Sequence, residues 1–211
     1  MNAFNHPAFE AKPVVGILRN FTFDEVKIIA TAYQDAGLTT LEITMNSPDA
    51  LKSITYLAKN HPGLNIGAGT VCTPAEMSQA MEAGASFIVT PVCNLELIKS
   101  AYKSQIPIFP GALTPSEIYQ AWEAGATAVK IFPASAFGAP YIKEVLAPLS
   151  QIKLLPTGGI HAGNMKDYFL AGAIGVGMGS ALVGKKEDLS DKNVLLTKMK
   201  KIADLLASLL P

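Results

Sequence analysis

The chain has 211 residues, 49% of them hydrophobic, and its 17 basic and 17 acidic side chains leave no net charge. That length and apolar content suit one well-buried domain and are short for two. Balanced charge gives no footing for nucleic acid or an acidic membrane, and no apolar stretch approaches the length that spans a bilayer.

Residues 1–12 lack the apolar core of a signal peptide and are expected to form an extra helix over the floor of the fold. Two cysteines, Cys72 and Cys93, make no disulfide framework, so a reducing cytoplasm is the expected compartment. His6, His61 and His161 are scattered without ligand spacing, so neither a metal nor another cofactor is expected.

Along the chain, apolar runs begin near 14, 39, 65, 86, 106, 128, 153 and 174 and read as buried strands. Helical stretches follow near 23–36, 48–60, 74–83, 94–104, 115–124, 139–147, 163–171 and 188–208. Three helix starts match a capping box: Thr22 to Glu25, Thr73 to Glu76 and Thr114 to Glu117. In a capping box the hydroxyl and the carboxylate satisfy each other's backbone donors. Pro74 and Pro115 occupy the first helical position, where a missing N–H costs nothing. Four segments of the form Ala-Gly followed by an apolar run place Gly37, Gly84, Gly125 and Gly172 at spacings of 47, 41 and 47 residues. Each glycine suits the left-handed residue that closes a helix, and a period this long holds two strand–helix units. Eight such units in one chain predict a single-domain (β/α)8 barrel over residues 1–211. An open doubly wound sheet is the other arrangement the alternation allows.

Lys130 stands alone in the apolar run Ala128-Val129-Lys130-Ile131-Phe132-Pro133. Lysine is almost never fully buried without compensation. Desolvation disfavours the ammonium, and a neutral amine can attack a ketone to form a Schiff base. A free lysine near pKa ~10.4 is almost wholly protonated at neutral pH, whereas catalysis needs roughly 7–8. Glu42 is the second charge in an apolar strand, and Gly37 to Glu42 repeats the offset of Gly125 to Lys130. Equal offsets in alternate units place two side chains in one interior layer of a barrel. A carboxylate beside an amine there reads as a general acid/base beside a nucleophile; the competing readings are a buried ion pair and a lysine that snorkels to water.

Barrel enzymes place their sites at the C-terminal strand ends. Thr157-Gly158-Gly159 after strand 7 and Gly177-Met178-Gly179-Ser180 after strand 8 are turns whose backbone can approach phosphate oxygens closely. Arg19, the only arginine in the chain, ends strand 1, where its planar fork suits a carboxylate or a phosphate. Thr70 adds a hydroxyl at the end of strand 3. Cys72 and Cys93 are expected to pack as small apolar groups, Tyr119 and Trp122 as barrel packing, and Lys185-Lys186 and Lys198 to Lys201 as solvated faces. On these residues alone, a different phosphosugar barrel enzyme, such as an epimerase or synthase, and a non-catalytic barrel that senses a phosphorylated metabolite also stay open.

Taken together, Ile17-Leu18-Arg19, Leu41-Glu42-Ile43-Thr44, Gly67-Ala68-Gly69-Thr70-Val71, Lys130-Ile131-Phe132-Pro133, Pro156-Thr157-Gly158-Gly159-Ile160 and Gly177-Met178-Gly179-Ser180 resemble the 2-keto-3-deoxy-6-phosphogluconate aldolases. These are class I aldolases of bacterial sugar-acid catabolism. The matching pieces span about residues 13 to 184. The resemblance implies that Lys130 forms a Schiff base with pyruvate and that Glu42 is the general acid/base. It implies that Arg19 and Thr70 hold the pyruvyl carboxylate and that Phe132 and Pro91 wall the pocket. Gly158, Gly159, Gly179 and Ser180 are implied to hold the distal phosphate. It also implies a metal-free homotrimer acting on a phosphorylated keto acid in the cytoplasm, within the Entner–Doudoroff pathway, with 4-hydroxy-2-oxoglutarate as a second substrate.

Some members carry an arginine four residues after the glutamate, where this chain has Asn46; others use the strand-1 arginine, present here as Arg19. Asn46-Ser47-Pro48 and the segment from Ser135 to Lys143 resemble the galactonate branch of the family. Thr157 before the double glycine resembles the gluconate branch, and because that position is read against the substrate the gluconate epimer is expected.

Overall fold

A computed structural model describes residues 3–184, 189 and 191–209. The predicted solvated pair Lys185-Lys186 and the predicted start of the last helix at 188 lie outside the described residues. Strands β1 (Val14–Leu18), β2 (Thr40–Thr44), β3 (Asn65–Gly69) and β4 (Phe87–Val89) alternate with helices α2 (Phe23–Asp35), α3 (Ala50–Asn60) and α4 (Pro74–Glu82), preceded by α1 (His6–Ala11). The second half holds α5 (Leu95–Lys103), β5 (Ile108–Phe109), β6 (Gly111–Ala112), α6 (Pro115–Glu123), β7 (Val129–Ile131) and α7 (Gly138–Leu146). It ends with β8 (Leu154–Pro156), α8 (Met165–Leu170), β9 (Val176–Met178), α9 (Ser180–Val183) and α10 (Lys192–Leu209).

All the strand pairs are parallel, in the orders β5-β4-β3-β2-β1-β9 and β6-β7-β8. Two links make one ring of these arcs. β5 and β6 are the halves of the fifth barrel strand, and a parallel bridge between Thr157 and Gly177 joins the ends of β8 and β9. The architecture is therefore the predicted (β/α)8 barrel. The fifth strand differs from the unbroken run expected near 106, because Pro110 has no N–H for the ladder. β5 accordingly pairs with β4 and β6 with β7.

Local chemistry explains the boundaries. All three threonine capping boxes form with both reciprocal bonds. Gly37, Gly84, Gly125 and Gly172 adopt φ of 78°, 100°, 103° and 100°, the left-handed region in which a Cβ is strained. A 3-10 turn at Ala134–Ala136 and the short α9 were not anticipated. Each is a single turn, too short to show a period in sequence.

The predicted extra helix closes the bottom of the barrel. Phe4 lies 5.4 Å edge-on from Phe87, and Phe9 lies 6.0 Å from Phe109. These rings join Val15, Val89, Ala128 and Leu155 in an interior apolar layer. Asn5 N–H donates to Asn65 Oδ1 at 2.7 Å, and Asn65 Nδ2 donates back to the Asn5 carbonyl at 3.0 Å. A larger apolar layer lies between strands and helices; there the buried Tyr33 hydroxyl of α2 donates to the Thr40 carbonyl at 2.7 Å.

Two surface expectations are corrected. Cys72 is exposed rather than packed, because the loop before α4 turns outward to donate its N–H to the Glu76 carboxylate at 2.7 Å. Tyr119 is exposed on the outer face of α6, while Trp122 packs against the core as expected. No described helix is long and apolar enough to cross a membrane.

Removing one ring of the floor tests its structural weight. Phe9→Ala is expected to lower the unfolding free energy by about 3 kcal/mol in urea titration, whereas a loss below about 0.5 kcal/mol would assign α1 no share in the core.

Candidate active site

Lys130 is the central residue of β7, opposite Gly111 on β6 and Leu155 on β8. Alternation along a strand sends Ala128, Lys130 and Phe132 to the same face. Lys130 is 3% exposed, and its Nζ sits 4.9 Å from the centroid of the Phe132 ring. The ring face offers partial compensation for a cation. Burial pushes the Lys130 ammonium below its ordinary range, the Glu42 carboxylate opposes that, and Arg19 pushes it down further.

Glu42 is the central residue of β2, opposite Ile17 and Gly67. It is 1% exposed, and neither carboxylate oxygen has a hydrogen-bond partner. The buried ion-pair reading requires a closed, fully bonded pair, and this carboxylate is not closed. Burial raises its pKa, while Lys130 and Arg19 lower it. Glu42 and Lys130 line one internal void together with Val89, Phe109, Thr157 and Gly177. The offset argument from sequence therefore placed both in the same interior. Arg19 has a specific electrostatic effect here. By lowering both pKa values it favours the combination of an ionised Glu42 and a neutral Lys130, which is base plus nucleophile.

Small residues make the space. A Cβ on Gly69 would lie 2.5 Å from Glu42 Oε1, so no other residue fits at that step of β3 while Glu42 points inward. A Cβ on Gly177 would likewise run into the Thr157 hydroxyl.

Above the void a cleft of about 520 Å³ opens at the C-terminal strand ends. It gathers Arg19, Lys130, Phe132 and Thr157 with Gly158, Gly159, Gly179 and Ser180. Ile17, Asn20, Phe21, Ile160 and His161 also line it, and sequence reasoning had assigned none of them a role. Thr70 and Pro91 do not line this cleft. Thr70 follows Gly69 with φ 58°, and a Cβ on Gly111, the neighbour of Lys130, would run into the Pro91 carbonyl. Asn46 is exposed. Beside it, Ser47 Oγ accepts the Asn20 N–H at 2.9 Å and bonds the Thr44 hydroxyl at 2.8 Å, tying the Arg19 loop to the end of β2. A recess of about 680 Å³ between α7 and α8 holds none of these groups, so size alone does not locate the chemistry. Among the described residues no three His, Cys, Asp or Glu side chains are grouped as a metal requires.

The sequence profile of KDPG and KHG aldolase matches residues 7–197. The chain belongs to this aldolase family. It is 40% identical over 157 residues to 2-dehydro-3-deoxy-phosphogluconate aldolase of Pseudomonas aeruginosa, covering 74% of this chain and 70% of the relative. It is also 40% identical over 172 residues to 2-dehydro-3-deoxy-6-phosphogalactonate aldolase of Escherichia coli, covering 81% and 84%. The crystal structure of KDPG aldolase from Legionella pneumophila, with pyruvate captured at low pH as a covalent carbinolamine intermediate, matches with a TM-score of 0.82 at 32% identity over 97% of each chain. The family match extends past the motif-bearing stretch 13–184, into α1 and α10.

The raised pKa of Glu42 has a consequence for stability. The folded aldolase holds this proton to higher pH than the unfolded chain, so stability is lost as pH rises from the ordinary value of 4.5 through the raised one. Glu42→Gln removes that loss. Its melting temperature is expected to exceed that of the wild type at pH 8, with the gain shrinking toward pH 4.5. A difference independent of pH would contradict a buried ionising carboxylate.

Proposed function

We propose that this chain is a class I aldolase that cleaves 2-keto-3-deoxy-6-phosphogluconate to pyruvate and glyceraldehyde 3-phosphate through an imine on Lys130. The observation that carries the reading is the pairing of a buried amine with an unbonded buried carboxylate beneath a cleft open to solvent. A sensor has no use for a nucleophile and a base held in one apolar interior.

The steps follow from the two groups. Neutral Lys130 attacks the C2 ketone, and Glu42 as general acid protonates the carbinolamine hydroxyl, which leaves as water and gives a protonated imine, an electron sink, with Glu42 now ionised. Glu42 takes the C4 hydroxyl proton, the C3–C4 bond breaks, and its electron pair flows into the imine as an enamine. Glyceraldehyde 3-phosphate leaves. The enamine is protonated at C3, and hydrolysis returns pyruvate and the free amine. Arg19 and Thr70 hold the pyruvyl carboxylate, and the Arg19 charge also favours the ionised form of Glu42 against the effect of its burial. Phe132 and Pro91 wall the reacting carbons. The backbones of Gly158, Gly159 and Gly179, with Ser180, receive the phosphate. The working form is a metal-free cytoplasmic homotrimer of the Entner–Doudoroff pathway, and 4-hydroxy-2-oxoglutarate is a second substrate, cleaved to pyruvate and glyoxylate.

A galactonate reading has its own support, since the two relatives above are equally identical to this chain. Thr157 supports the gluconate epimer: this buried threonine lines the cleft together with Lys130, and its hydroxyl is bonded only weakly, to the Leu155 carbonyl at 3.4 Å.

Coupled assays of pyruvate release test both parts. Lys130→Ala is expected to abolish cleavage of either epimer, and near-normal turnover would contradict the imine. The wild type is expected to prefer the gluconate epimer, and Thr157→Val to lower that preference roughly ten-fold, the worth of one substrate hydrogen bond. An unchanged ratio would move epimer choice away from Thr157.

A further inference from the structure

His161 occupies a position in the cleft that the reaction scheme leaves unused. His6 packs against Phe4 at the barrel floor, and the His61 Nδ1 is bonded to Gln34. Only His161 of the three histidines in the sequence lines the cleft with Lys130 and the two glycine turns. Its backbone is fixed by a tight local network. The His161 N–H donates to Asn164 Oδ1 at 2.8 Å, and Asn164 Nδ2 donates to the Gly159 carbonyl at 3.0 Å. The imidazole is therefore tied to the turn that follows β8.

The ring orientation is also set. Gly163 N–H donates to His161 Nδ1 at 3.1 Å. A Cβ on Gly163 would lie 3.2 Å from Nδ1 and from Cε1, so glycine leaves room for the ring edge. An imidazole whose Nδ1 accepts carries its proton on Nε2 when neutral. The outer nitrogen is then a donor with no protein acceptor among the described residues. Lys130 fixes the keto end of the substrate deep in the cleft, so the other end extends outward past Gly158 and Gly159.

We propose that His161 is a specificity-determining residue that donates from Nε2 to the terminal phosphate and so selects phosphorylated over phosphate-free ligands. The proposal rests on the aldolase reading above. Two amide replacements separate this role from a structural one. Glutamine can present a donor where Nε2 was, whereas asparagine can restore only the acceptor at Nδ1 that receives the Gly163 N–H.

The experiment is steady-state cleavage of 2-keto-3-deoxy-6-phosphogluconate by His161→Ala, His161→Asn and His161→Gln, with inhibition by pyruvate as the phosphate-free control. The alanine and asparagine variants are expected to raise KM roughly ten-fold, the loss of one hydrogen bond to a charged oxygen. His161→Gln is expected to stay near the wild type, and the inhibition constant for pyruvate to be unchanged throughout. Rescue by asparagine but not glutamine would reduce His161 to a turn-former. An equal change in KM and in pyruvate inhibition, or no change in either, would overturn the assignment. If the wild type released no pyruvate at all, the aldolase reading itself would fail and this proposal with it, an outcome distinct from the others.

Discussion

Burying an amine and a carboxylate in the same apolar interior is the constraint on which the rest of this molecule depends. Each charge taken from water costs on the order of several kcal/mol even after relaxation, and burial therefore drives Glu42 and Lys130 toward their neutral forms. Their mutual attraction pulls both back toward the charged forms. Attack on the ketone needs the neutral amine of Lys130, and C3–C4 cleavage needs the ionised carboxylate of Glu42. Arg19 supplies the bias, since a fixed positive charge favours the anion of one group and the neutral form of the other. A single arginine at the end of β1 thus couples substrate recognition to the protonation of the two reacting groups. The Asn20–Ser47–Thr44 hydrogen bonds fasten its loop to the strand that carries Glu42.

The barrel makes such a pair tolerable by surrounding it with structure that cannot easily relax. Below the charged layer, Phe4, Phe9, Phe87 and Phe109 seal the floor. Around it, inward glycines leave room for polar groups: Gly69 beside Glu42 and Gly177 beside Thr157. Above it, the ends of β1, β7, β8 and β9 line the open cleft. The parallel strands point all their C-terminal ends one way, so residues distant in sequence reach one mouth without long loops. The orphaned Glu42 oxygens are the stability that is given up for function, as is common where a site demands an unsatisfied group.

Much of this was legible in the sequence because it is local. The capping boxes at Thr22, Thr73 and Thr114 and the helix-closing glycines depend on neighbouring residues, and they mark the units before any tertiary contact is known. Lys130 and Glu42 stood out because a charge within an apolar run has few bland explanations. Features that depend on through-space relations were not legible. The break at Pro110 reflects which neighbour each half of the fifth strand pairs with. The outward faces of Cys72 and Tyr119 depend on orientation rather than composition. Gly69 carried no reading beyond its place in a motif, because its closeness to the Glu42 carboxylate spans two strands. His161 was weighed only as a metal ligand, where spacing counts against it, although its place three residues after Gly158 already put it beside a strand end. Pro91 rested on resemblance alone and Thr70 on its place at the end of strand 3, and neither lines the cleft.

The central claim is that the buried amine of Lys130 is the nucleophile. It is tested most directly by reducing the protein with borohydride in the presence of pyruvate and locating the adduct by peptide mass spectrometry. The account predicts a reduced pyruvyl group on Lys130 and on no other of the chain's lysines at comparable yield. No adduct, or one on an exposed lysine instead, would contradict it.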